Sequence, residues 1–123
     1  MQTDTEEYAI ASEYENTVYV NFYLEKDKPF AIGEKMTEIN EEAYMNGSNW
    51  EAFFEYYLAE NAPDILEGMC TDPEAGMYQA FYDLTPENKA RAERFVEIIK
   101  SLINNEEELY RIIREEGDQI QWY

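Results

Sequence analysis

The spacing of apolar residues changes period several times along this chain, and those changes limit the folds open to it. Val18, Val20, Phe22 and Leu24 alternate with Tyr19, Asn21 and Tyr23, a period of two that suits a half-buried strand. Ile32, Met36, Ile39 and Ala43 then fall at i, i+4, i+7 and i+11, the stripe of an amphipathic helix. From Met77 to Leu84 the period is two again, and beyond Thr85 it is helical. A chain patterned in this way must combine sheet and helix.

Residues 7–13 and 17–24 predict a β-hairpin turning at Glu15-Asn16, where the asparagine tolerates positive φ. The helix bearing the Ile32 stripe is expected to close at Asn46-Gly47. Ser48 then reads as the N-cap of a helix from Asn49 to about Asn61, with Glu51 completing a capping box. Pro63 bounds that helix or begins a short turn, and residues 65–70 fit either a helix end or a strand.

Asp72-Pro73-Glu74-Ala75-Gly76 is a turn in which Pro73 presets φ and Gly76 supplies freedom to enter the next strand. That strand places Tyr78, Ala80, Tyr82 and Leu84 on one face, with Met77, Gln79, Phe81 and Asp83 on the other. Neither face is cleanly polar, so the strand is expected to be central. Thr85-Pro86-Glu87 opens a helix with a threonine cap, proline at the first position and acid in the first turn. Its inward stripe is Ala92, Phe95, Val96, Ile99, Leu102 and Ile103.

Asn105 caps a last helix through Glu116, with Leu109, Ile112 and Ile113 inward and Gly117 at its end. Ile120, Trp122 and Tyr123 form a short strand or pack against a neighbour. The order predicts an α+β fold, an antiparallel sheet of about four strands with helices mainly on one face, as one domain over residues 1–123.

Charge narrows the partners. Twenty-eight Asp and Glu against nine Lys and Arg leave a net charge of −19, with no histidine. Phosphate backbones and anionic membranes repel such a chain, whereas a basic protein is drawn in at long range. Lys and Arg are absent between Lys35 and Lys89, while twelve acids from Glu38 to Glu87 lie there, interleaved with Trp50, Phe54, Tyr56, Tyr57, Tyr78 and Tyr82. The nine cations sit mainly on the last two helices, where pairs such as Glu107–Arg111 can balance them. Individually, Trp50, Phe54 and Tyr57 fit a core, but Glu55 and Tyr56 face away from that stripe. The partner-binding candidates are Glu51, Glu55, Tyr56, Asp72, Glu74, Tyr78 and Tyr82.

Signals for chemistry are scarce. Without histidine the chain lacks the commonest general base and zinc ligand. Cys70 is the lone cysteine, so it forms no internal disulfide or Cys-His pair and fits a reducing compartment. Neither a nucleophile elbow nor a phosphate-binding glycine loop occurs. Glu41-Glu42, Glu51/Glu55 and Glu106-Glu107-Glu108 do not follow calcium-loop spacing and read as solvated helix faces. No catalytic, cofactor or metal residue is therefore expected. The N-terminus lacks a basic segment followed by an apolar one, and no apolar run reaches membrane length, which makes the cytoplasm the expected location. The oligomeric state stays open.

Two stretches point to a family. Asn46-Gly47-Ser48-Asn49-Trp50 opens a helix, and Asp72-Pro73-Glu74-Ala75-Gly76-Met77-Tyr78 leads into a strand. Together they resemble the immunity protein 51 family of bacterial polymorphic toxin systems, over roughly residues 30–116. Ser48-Asn49 stands where that pattern has Tyr-Asp, and Tyr78 where it has Phe. The resemblance implies a cytoplasmic antidote that binds a cognate toxin domain and has no enzymatic activity. A basic toxin, such as a nuclease, would be the partner that the charge favours. The charge alone equally fits a nucleic-acid mimic that inhibits a DNA- or RNA-binding protein, and the clustered carboxylates leave a metal-dependent enzyme as a third class.

Overall fold

Two long antiparallel pairings build the sheet from the alternating segments. In the computed structural model, which describes residues 8–74 and 76–122, β1 (Ala9–Tyr14) pairs with β2 (Thr17–Tyr23) through the hairpin. β2 pairs in turn with β4 (Met77–Asp83), and the two-residue β3 (Cys70–Thr71) adds to the far side of β4, giving the order β1-β2-β4-β3. β2 and β4 are in register across Val18/Tyr82, Val20/Ala80 and Phe22/Tyr78, so their buried alternates share one face. The β4 strand is central, as its two-sided apolar pattern requires. Residue 7, at the start of the expected hairpin, lies outside the described residues, as do Ala75 and Tyr123.

Helices cover that face. α3 (Pro86–Asn104) packs across β2, β1 and β4, while α2 (Gly47–Asn61) packs on β4. α1 (Asp27–Ile39) and α4 (Glu106–Glu116) pack on each other and on α3. Phe22, Trp50, Phe54, Tyr78 and Phe95 interlock at the centre. Phe22 and Trp50 meet edge-on at 4.9 Å, Trp50 stacks on Phe54 at 5.4 Å, and Phe54 meets Phe95 at 5.3 Å. Truncating Trp50 or Phe54 to alanine would cost about 3–5 kcal/mol, the usual range for a buried aromatic.

Several boundaries differ from the sequence reading. α1 ends at Ile39, not at Asn46-Gly47. Ala43 is fully buried from a loop, which carried the apolar spacing past the true helix end. That loop is folded by polar groups. Thr37 Oγ1 donates to the Ala43 carbonyl at 2.7 Å, and Asn49 Nδ2 donates to the Tyr44 carbonyl at 2.7 Å.

The N-cap of α2 is Asn46, whose side chain accepts from Asn49 N at 2.9 Å, so Ser48 lies inside the helix. Positive φ in the hairpin falls on Glu15, at 55°, and not on Asn16. Gly76 has no positive φ either; a side chain there would press on the Glu25 carboxylate. Pro63–Leu66 forms a 3-10 turn after α2. Gly117 continues α4 into a 3-10 turn through Gln119, and Ile120 packs into the core without forming a strand.

Candidate partner-binding surface

The strongly acidic middle of the chain is distributed over α2, the loop before it, and the β3–β4 turn. Glu51 and Glu55 lie one helical turn apart on α2. Glu51 is buried, 8% exposed, and accepts a hydrogen bond from the Thr71 hydroxyl of β3. Glu55 is exposed, and its carboxyl is held above the ordinary glutamate range by partial burial and then by the neighbouring Glu51 charge. A like-charged i,i+4 pair is mildly destabilising on a helix.

Tyr56 is half-buried against the core, and its hydroxyl donates to Glu116 of α4. That bond to a carboxylate is the main reason its phenol is pushed up to about 12. Asp72 and Glu74 are exposed in the β3–β4 turn, where Asp72 N donates to Gln79 O and Glu74 N to Met77 O, both at 2.8 Å.

Tyr78 and Tyr82, expected at the partner surface, belong to the core at 0% and 1% exposure. Both point to the helix-covered face, where Tyr82 Oη donates to the Ile65 carbonyl at 2.7 Å. The Tyr78 hydroxyl meets no hydrogen-bond partner among the described residues. Burial chiefly, then the Glu51 and Glu55 carboxylates with Tyr82 between them in weight, raises its pKa well above that of free tyrosine. Neither ring offers side-chain surface. Of the sequence-predicted residues, therefore, Glu55, Asp72 and Glu74 are freely accessible, and Tyr56 partly so.

The middle segment also receives cations from outside itself. Arg94 and Arg91 of α3 reach back to Asp64 and Glu67, and the Arg94 guanidinium lowers the Asp64 carboxyl below its usual range. Arg111 pairs with Glu108, Glu115 and Glu116, not with Glu107 as the i,i+4 spacing suggested. Lys89 bridges to Glu13 at 3.1 Å. All of these pairs engage residues of the helical layer.

The two motif stretches meet in space. The α2 N-terminus at Gly47 abuts the backbone of the β3–β4 turn so closely that a Cβ would run into the Glu74 carbonyl oxygen. It would also lie 2.6 Å from Glu74 N and 2.8 Å from Met77 O. Three residues on, Trp50 fills the core beneath this junction at 1% exposure. Asn49 is buried, and its amide donates to the Tyr44 carbonyl, which an aspartate in that position could not do. The motif residues thus form a joint between helix and turn.

A family model described as immunity protein 51 matches residues 10–118 of the 123-residue chain. The chain belongs to the immunity protein 51 family. The match takes in the hairpin and all four helices, more of the chain than the two motifs of this immunity protein span. No curated protein and no solved structure is significantly similar to it. Among the described residues no helix is long and apolar enough to cross a membrane, and no group of three or more acidic or cysteine side chains could hold a metal ion.

The surface that sequence reasoning missed is the other face of the sheet. Strand alternation places Tyr14, Tyr19, Tyr23 and Phe81 there, opposite the buried set. Tyr19 and Phe81 touch at 5.9 Å, and Gln79 Nε2 donates to Asn21 Oδ1 at 2.7 Å. The signal was present as the second alternate of β2, namely Tyr19, Asn21 and Tyr23.

Proposed function

We propose that this chain is the antidote to a basic toxin domain, which it binds in the cytoplasm and neutralises without catalysing a reaction. Membership of an immunity protein family over residues 10–118 carries the reading. The net charge of −19 supports a basic partner, because an acidic surface attracts Lys- and Arg-lined clefts and repels nucleic acid and anionic membranes. Glu55, Asp72 and Glu74, exposed in the segment without Lys or Arg, supply charge for such an encounter.

Growth rescue tests this directly. Cells expressing the toxin domain encoded beside this gene should survive when the chain is co-expressed and die without it. Failure of a well-expressed, folded chain to rescue would remove the antidote reading. The same charge fits a nucleic-acid mimic; in that case the chain would displace DNA or RNA from an unrelated binding protein and give no protection against the neighbouring toxin.

A further inference from the structure

Resting on the immunity reading, we infer that the toxin docks on the helix-free face of the sheet, with its basic residues meeting acids at the rim of that face. The face carries Ile10, Tyr14, Tyr19, Tyr23, Met77 and Phe81, on three adjacent strands. None of these six packs into the hydrophobic core, and Tyr14 is 68% exposed. Tyrosine and phenylalanine presented from a stiff sheet supply large contact area with little side-chain entropy to lose, the usual make-up of interface anchors.

Charge selects the occupant. No strand contains Lys or Arg; the nine cations all lie on α1, α3, α4 or at Lys26 before α1. The charged residue on the open face itself is Asp83, opposite Thr17. Glu15 in the hairpin turn, at the same end as Asp83, and Asp72 at the β3 edge opposite Gln79 add acid around its rim. Lys89 and its partner Glu13 belong to the covered side, because Glu13 alternates with Tyr14 and Lys89 comes from α3. A basic protein therefore finds aromatic surface and only negative charge on this face, whereas on the helical face it meets Arg91, Arg94 and Arg111. A second copy of the chain is disfavoured, since two bodies of −19 would bring acid against acid.

Calorimetric titration into a catalytically inactive form of the toxin domain encoded beside this gene tests the assignment. Two exposed positions on the face are changed, Tyr14→Ser and Asp83→Lys, with Glu97→Lys on exposed α3 as the control and a thermal melt of each to verify folding. Both face variants should weaken Kd by about ten-fold or more, and the control by less than about two-fold. Wild-type binding that neither face variant disturbs would overturn the docking surface and leave the antidote reading intact. Absence of wild-type binding would overturn both. A wild-type dimer that Tyr14→Ser converts to monomer would assign the face to self-association and overturn the proposal.

Discussion

Gly47 sits where the first turn of α2 meets the backbone of the β3–β4 turn, and the neighbours a Cβ would strike are main-chain atoms of Glu74 and Met77. Main chain in a paired turn cannot swing aside as a side-chain tip can. Gly47→Ala should cost about 3 kcal/mol or more, at the upper end of overpacking penalties. Urea denaturation reads this, and a loss below about 0.5 kcal/mol would show that the joint can relax.

Ionisable residues carry their own tests. Glu55 has a raised carboxyl, so its folded form prefers the proton, and that preference contributes stability only below the unfolded pKa and loses it as pH rises. At neutral pH the charge is a small liability. Glu55→Gln should therefore stabilise the free chain by about 0.3 kcal/mol after solvent screening, with the gain vanishing in acid. A variant less stable than the wild type at neutral pH would contradict this reading of the Glu51–Glu55 pair.

Tyr56 and Tyr110 are both pushed up to about 12, Tyr56 chiefly by its bond to Glu116, Tyr110 chiefly by burial and then by its bond to Glu106. Their contribution is fully present below the unfolded value of 10.0 and is lost as pH climbs through about 12. Denaturation midpoints should fall over that window, less steeply in Tyr56→Phe. Parallel slopes for the two proteins would dismiss the Tyr56–Glu116 bond as a source of the fall.

Among the elements, the start and the inward stripe of α3 were legible to the residue. Thr85 caps it by accepting from Asn88 N, Pro86 begins it, and all six stripe residues are buried. Its signals are local, and nothing distant competes with them. The start of α2 was not legible. Asn46 and Ser48 are both good caps, and the choice between them follows from contacts remote in sequence, with Gly47 held against Glu74 and Asn49 tied to Tyr44. Asn46→Ala should cost about 1 kcal/mol, and Ser48→Ala a few tenths at most, about 0.3 kcal/mol. Equal losses by chemical denaturation would return the cap to Ser48.

The sheet shows the same limit. Alternation in β4 separated Tyr78, Ala80 and Tyr82 from Met77, Gln79 and Phe81, yet both sets are apolar enough to be covered. With helices on one side only, one aromatic set had to be left out, and packing against Phe54 and Phe95 decided which. Tyr78 and Tyr82 are consequently core residues and offer no side-chain surface, while Tyr14, Tyr19 and Tyr23 lie on the open face.

Over the whole molecule, composition favours a basic partner but says nothing of the side it would approach. The chain has a net charge of −19, and its cations lie on α1, α3, α4 or at Lys26, none of them on a strand. The acidic middle segment was visible in sequence as a run without Lys or Arg. Its partial neutralisation by Arg91 and Arg94 was not, because those residues return to it only through the fold. The measurement that bears most directly on this picture is the association rate constant with the toxin domain as NaCl is raised from about 0.05 to 0.5 M, across which the screening length shrinks about three-fold. The rate should fall by about ten-fold or more while dissociation changes little. An association rate indifferent to salt would mean that charge does not guide the encounter, and a partner reached by some other route would have to be sought.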